Sequence, residues 1–272
     1  MNTLKVMVVG CGAMGSALIQ GWLEAHICKD LIIIDPQEDK ARKFLSMPGV
    51  VWYSTPSETL GRARPDAIIF AVKPQKLSEI LPHYASFKGS SLFISVAAGH
   101  SLSFYEQSLG PGAPLVRVMP NLAVSLRHGV SVGFADSSLL SAHRTLTNTL
   151  FASLGAMAWC EEEALLDTAT VVSGSGLAYF YGLVECLAQA AIERGLAEDL
   201  AYLLARQTAI GAGAMLDTHE ESPELLRGQV TSPGGVTEAA LEVLLSGERG
   251  LPSLLKQVLN KGLMRSAELG SN

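Results

Sequence analysis

Leu4-Lys5-Val6-Met7-Val8-Val9-Gly10-Cys11-Gly12-Ala13-Met14-Gly15 is the stretch on which the fold turns. A short β-rich run passes directly into glycines spaced G-x-G-x-x-G, and a helical segment over 13–25 opens just after the second of them. In that setting the first glycine permits a tight turn. The second lets a pyrophosphate approach the backbone, and the third allows close helix–strand packing. The phosphates would meet the helix N-terminus, where unpaired N–H groups and the helix dipole favour an anion. Gly10, Gly12, Ala13, Met14 and Gly15 are therefore candidate dinucleotide-binding residues.

Outward from this unit, brief apolar runs at 31–34, 50–53, 67–72, 92–96 and 115–119 alternate with helical segments at 38–46 and 75–86. Such runs suit strands buried on both faces, and the alternation predicts a doubly wound parallel α/β domain over residues 1–161. Beyond it the β-branched runs give way to Ala/Leu-rich stretches with spacings of three and four. Helices are expected at 179–194, 197–216, 223–226, 235–245 and 254–268, making residues 162–272 an all-helical domain. The first of these is apolar on more than one side, through Tyr179, Phe180, Tyr181, Leu183, Val184 and Leu187. A helical unit of this size cannot bury that surface within itself, which predicts packing against a second copy.

Composition bounds the function classes. Apolar residues make up 48% and charged residues 17% of the 272, which rules out intrinsic disorder. The 20 Lys and Arg against 26 Asp and Glu are scattered with no basic run, so no nucleic-acid partner is expected. The long charge-free run over 6–23 is broken by four glycines and ends in no small-x-small cleavage site, so neither a membrane span nor a signal peptide is read there. A cytoplasmic protein is expected. Cys11, Cys28, Cys160 and Cys186 lie far apart with no histidine at ligand spacing. They read as small apolar fillers, with no metal site.

Asp35 ends the second strand 20 residues after Gly15. A carboxylate there usually accepts the ribose 2′-OH and repels a 2′-phosphate, which taken alone leans toward NADH. Asp35-Pro36 also suits a plain strand-ending turn, with Lys40 or Arg42 as a cation for NADPH. Lys73-Pro74 closes the fourth strand at the carboxyl edge, where ligands of open α/β sheets bind; Lys73 reads equally as an exposed strand-end lysine. Ser95–Gly99 and Arg117–Asn121 leave the next two strands on the same edge, as pocket lining or as ordinary exits.

In the helical half, Thr231-Ser232-Pro233-Gly234-Gly235-Val236-Thr237 imposes a turn before a helix. The N–H groups of Gly234, Gly235 and Val236 are expected to converge there on a carboxylate, with the Ser232 and Thr237 hydroxyls beside it. Plain helix capping is the alternative. Ser173-Gly174-Ser175-Gly176 has the same pair of readings.

Together these segments resemble the pyrroline-5-carboxylate reductases, in that family's order and over nearly the whole chain. The Thr231–Thr237 segment is the specific part. The resemblance implies a Rossmann-like domain joined to an all-α dimerisation domain, and reduction of 1-pyrroline-5-carboxylate to L-proline by NADPH or NADH. It implies a homodimer through the helical domain, with a decamer of five dimers in some members. Carried over, Ser232, Gly234 and Gly235 match the substrate-carboxylate turn, Thr237 the hydroxyl near the ring nitrogen, and Lys73 and Pro74 cofactor contacts. The chain departs from the family at Leu122 and Ala123, where Thr-Pro is usual, at Leu177, usually Pro, and at Val236. Other readings are a paralogue acting on another cyclic imino acid and a non-catalytic dinucleotide sensor. A hydroxyacid-type dehydrogenase is disfavoured because no lysine lies between Glu161 and Glu193.

Overall fold

A computed structural model describes residues 4–59 and 64–270. The chain divides into two compact units, Met1–Gly174 with Leu263–Asn272, and Ser175–Gly262. The first carries an eight-stranded sheet: β1 (Leu4–Val9), β2 (Cys28–Ile34), β3 (Val50–Tyr53), β4 (Ala67–Phe70), β5 (Leu92–Ser95), β6 (Leu115–Pro120), β7 (Gly129–Phe134) and β8 (Gly155–Trp159). Their spatial order is β3-β2-β1-β4-β5-β6-β7-β8, parallel throughout except for the antiparallel β6–β7 pair. The order reverses between β1 and β4, so the carboxyl-edge crevice of a doubly wound sheet opens at the end of β1.

The strands form where expected because β4, β5 and β6 are buried along their whole length, and continuous apolar runs are what two covered faces demand. β7 alternates buried and half-buried residues and β8 half-buried and exposed ones, so they carry no such run. On one face α1 (Ala13–Glu24) and α5 (Ser141–Ala152) pack Leu18, Trp22 and Phe151 against Val6, Val8 and Ile33. The Trp22 indole N–H donates to the Leu150 carbonyl at 2.8 Å, so even this buried ring has a partner. The other face is filled by Phe70, Tyr84, Phe93, Tyr105 and Leu109, with Tyr105 and Leu109 from α4 (Leu102–Leu109).

Two expected helices are shorter than the reading of 38–46 and 75–86. The first is α2 (Glu38–Ala41) followed by a 3₁₀ turn, Arg42–Phe44. The second is a 3₁₀ turn, then α3 (Leu77–Ile80), then a 3₁₀ segment over Leu81–Phe87. Pro82 lacks the N–H that α-helical pairing needs and crowds the carbonyl four residues back.

The segment beginning with α6 (Leu165–Ala169) corrects the turn expected at 173–176. It passes into a π-helical turn, Thr170–Gly174, whose Thr170 and Ser173 hydroxyls donate to the carbonyls of Leu166 and Ala169. The second unit holds α7 (Gly176–Glu193), α8 (Glu198–Thr218), α9 (Pro223–Gln229) and α10 (Val236–Leu244), and α11 (Leu251–Gly270) begins in it. Its buried core is small: Ala188, Ala201 and Ala205, with Val184, Ala191 and Ile192 packed around them. Phe180, Tyr181, Leu187, Leu203 and Val243 are exposed. Cys186 lies on the exposed apolar face of α7 in the single chain. Leu165–Glu193 is long and apolar enough to cross a membrane by length and composition, with 17% of its most apolar window buried.

Candidate functional site

The nucleotide end is built by the turn between β1 and α1. Gly10 has φ +96°, and a Cβ there would meet Val72 Cγ1 at 2.7 Å and the Ala71 carbonyl oxygen at 2.8 Å. At Gly15 a Cβ would fall 2.0 Å from the Gly10 carbonyl oxygen. Gly12 is different: beyond its chain neighbours, no atom of the described residues lies within 4 Å of its Cβ position, so the space above the turn is open. The first intrahelical bond runs from the Ser16 N–H to the Gly12 carbonyl, leaving the N–H groups of Ala13, Met14 and Gly15 outside the helical ladder. A cavity of about 460 Å³ adjoins this end of α1, lined by Gly12, Ala13, Ser16, Gln20, Lys43 and Leu122 among others. The pyrophosphate cradle therefore fits: open space, helix N–H groups, and Lys43 as the lining cation. Leu122, one of the departures from the family pattern, lies on that wall.

Asp35 has a task inside the protein. Its Oδ2 accepts the Cys11 N–H at 2.8 Å and its Oδ1 the Gln37 N–H at 2.9 Å, while Lys40 Nζ stands 3.8 Å away. The side chain is 6% exposed, so the carboxylate braces the glycine turn from beneath. Asp35→Asn puts an amide N–H where an acceptor is required; the expected cost is about 1–3 kcal/mol, read as a lower unfolding midpoint. Beside it Cys11 is buried, its Sγ 3.4 Å from Ser16 Oγ, and burial pushes the thiol up. Lys73 is exposed at the β4 exit, and Pro74 opens the following 3₁₀ turn.

The exits of β5 and β6 hold what the sequence reading missed. Arg117, within β6, is buried and pairs through Nη1 with Glu163 Oε1 at 2.8 Å; the same oxygen accepts the Leu102 N–H at 2.7 Å. Ser95 Oγ stands 2.5 Å from the Tyr105 hydroxyl and accepts the Ala97 N–H. Asn121 is buried, its Nδ2 donating to the Ser173 carbonyl and its Oδ1 accepting the Val130 N–H, so it is committed to the fold. An arginine inside the apolar run Leu115–Met119 was the available signal, since a buried guanidinium demands a carboxylate partner.

In the second unit the Pro-Gly-Gly turn forms as expected, with Gly234 at φ +68° and Gly235 as the N-cap of α10. The expected convergence of N–H groups needs correction. Gly234 N–H donates to Glu238 Oε2 at 2.6 Å and Gly235 N–H to the Ser232 carbonyl at 2.9 Å. Of the three groups named from sequence, Val236 alone keeps its N–H outside these bonds; Glu238, at the third helical position, reaches back past the N-cap to Gly234. The turn thus already holds a carboxylate. Ser232 and Thr237 are exposed beside it, and Val236 is 89% exposed.

Comparison with known proteins joins these halves. Residues 163–269 match the family model described as pyrroline-5-carboxylate reductase dimerisation, and residues 5–99 the model described as NADP oxidoreductase, coenzyme F420-dependent. A pyrroline-5-carboxylate reductase of Pseudomonas aeruginosa is 33% identical over 271 residues, covering 99% of this chain and 98% of that one. The structure of a pyrroline-5-carboxylate reductase from Coxiella burnetii matches with TM-score 0.89 at 30% identity, covering 98% of this chain and 99% of that chain. That of Plasmodium falciparum pyrroline carboxylate reductase, with NADP bound, matches with TM-score 0.82 at 27% identity over 99% of each chain. The dimerisation match falls on the helices whose apolar faces have too little core of their own, which supports homo-oligomerisation of the chain. A glycine turn open above Gly12, a Pro-Gly-Gly turn that receives a carboxylate, and similarity along the full length agree: the chain belongs to the pyrroline-5-carboxylate reductase family.

Proposed function

We propose that the protein reduces 1-pyrroline-5-carboxylate to L-proline with NADPH or NADH, the final step of proline biosynthesis. The observation that carries this reading is the carboxylate-accepting turn at Ser232–Gly235, in a chain whose other end is a dinucleotide cradle. Gly10, Gly12, Ala13, Met14 and Gly15 hold the pyrophosphate, Asp35 braces that turn, and Lys73 and Pro74 flank the cofactor at the β4 exit. The bound nicotinamide supplies the hydride that adds to the C=N carbon, and the electron pair of that bond settles on nitrogen.

The chain's own groups orient the acceptor. Ser232, Gly234 and Gly235 receive the substrate carboxylate, which takes the place of the Glu238 carboxylate on the Gly234 N–H. Thr237 Oγ1 accepts a hydrogen bond from the protonated ring nitrogen and aligns the C=N bond. A protonated imine is already a strong electrophile, so no acid stronger than a hydroxyl is needed.

Residues 1–161 are the dinucleotide-binding domain and 162–272 the helical dimerisation and substrate-binding domain in this reading. The protein works in the cytoplasm as a homodimer through the helical domain, and sedimentation distinguishes that dimer from a decamer of five dimers. The test is steady-state oxidation of NADPH and NADH, in parallel, on adding 1-pyrroline-5-carboxylate. Consumption of either with proline formed is the expected result. A folded protein that consumes neither is a dinucleotide sensor, and one active only on another cyclic imine is a paralogue.

A further inference from the structure

We propose that Tyr105 and Glu163 are positioning residues for the nicotinamide half of the cofactor, acting through Ser95, Arg117 and the loop that leaves β5. The inference rests on the dinucleotide reading above. In the strand order β3-β2-β1-β4-β5-β6, the Asp35 end of β2 lies on one side of the switch point, where the adenosine ribose belongs. The nicotinamide half then lies toward the exits of β4 and β5 on the other side.

At those exits the chain from Val96 to Ser101 has no regular structure, and Gly99 sits at φ +88°. Side chains hold it instead. The Ser95 hydroxyl takes the Ala97 N–H at 3.2 Å and is itself held 2.5 Å from the Tyr105 hydroxyl. Burial pushes the Tyr105 hydroxyl up to about 12, so it keeps its proton at neutral pH. His100 Nε2 lies 3.2 Å from the Pro74 carbonyl, which can only accept, so it ties this loop to the β4 exit. The same imidazole stacks on Phe104 of α4 with centroids 3.9 Å apart. Besides the His100 and Val96 ties to β4 and its exit, the loop is held from α4, through the Tyr105 hydroxyl and the Phe104 ring.

The start of α4 is in turn set by Glu163, whose Oε1 receives both the Leu102 N–H and Arg117 Nη1. Arg117 is 5% exposed and its Nε is buried with no partner among the described residues. A buried pair with an orphaned donor adds little net stability, because desolvation offsets the attraction. Its consequence is geometric: it locks α4 to β6, and through Tyr105 sets the height of the Ser95–Gly99 loop at the carboxyl edge.

The test separates this role from general folding. Tyr105→Phe and Glu163→Ala are titrated with NADPH and with 2′-phospho-ADP-ribose, which lacks the nicotinamide, or with NADH and ADP-ribose where the wild type prefers that pair. Tyr105→Phe is expected to weaken the whole dinucleotide about fivefold, the size of one hydrogen bond, and to lower kcat. The fragment's affinity stays within about twofold. Glu163→Ala follows the same split with a larger loss and a lower unfolding midpoint. Equal weakening of dinucleotide and fragment, or no change in either, overturns the proposal. A wild-type protein that binds no member of either pair overturns the dinucleotide reading itself, and this inference with it.

Discussion

Gly12→Val is expected to raise the dissociation constant for NADPH or NADH about 100-fold, close to 3 kcal/mol, while the unfolding midpoint moves by about 2 °C at most. The asymmetry follows from what surrounds each glycine. Gly12 has φ −74° and ψ −162°, extended backbone that valine adopts readily, and beyond its chain neighbours its Cβ would meet no atom of the described residues within 4 Å. The fold therefore has no reason to object. The open space above the turn is the pyrophosphate's, and two methyl groups in it prevent the close approach that makes the helix N–H groups useful. At Gly15 a Cβ would fall 2.0 Å from the Gly10 carbonyl oxygen, so an alanine there should damage folding itself. Calorimetric titration beside a thermal melt separates the two cases. Unchanged titrations in Gly12→Val would mean that the nucleotide lies elsewhere.

Thr237→Ala carries the second large expected effect, a fall in kcat of about 10- to 100-fold, the range of a hydrogen bond to a charged group. Cofactor affinity should not change. The helix does not need this hydroxyl: Gly235 is the N-cap of α10, and Glu238 reaches back to the Gly234 N–H. Alanine is also the strongest helix former at an exposed site. A folded variant with slow turnover and normal dinucleotide binding is the expected outcome. Wild-type turnover would remove Thr237 from the chemistry and leave the carboxylate turn as a binding element alone.

Both predictions concern residues that could be singled out before any coordinates, because a turn is a local object. Gly10-Cys11-Gly12-Ala13-Met14-Gly15 specifies its own φ angles and close approaches, and Pro233-Gly234-Gly235 does the same. Strands β4, β5 and β6, and the last four residues of β1 and β2, were legible for a related reason: two covered faces require unbroken apolar runs. β7 and β8 were not, because each keeps one face partly open and its alternation is diluted by glycine and alanine. The helix expected over 75–86 failed at Pro82, a local signal outweighed in that reading by the apolar spacing around it.

Residues far apart in the chain tell the opposite story. From its position alone Asp35 reads as a ribose contact; only the folded chain shows that each of its oxygens also accepts a backbone N–H, from Cys11 and from Gln37. Glu163 is an unremarkable member of an acidic triplet until folding sets it beside Arg117, 46 residues away, and the first turn of α4. In the expected nest of three N–H groups at 234–236, likewise, the Gly234 N–H goes to the Glu238 carboxylate, whose reach depends on the helix that follows, and the Gly235 N–H to the Ser232 carbonyl.

Strand–turn–helix identity, the glycine cradle and the Pro-Gly-Gly bend were readable from residue order, since each is governed by dihedral preferences and periodicity within a dozen residues. Which polar side chains spend their hydrogen bonds inside the protein, and which remain for a ligand, was settled only by packing. Desolvation charges every buried donor and acceptor for a missing partner, and the folded chain supplies those partners from distant segments whose proximity no local pattern encodes.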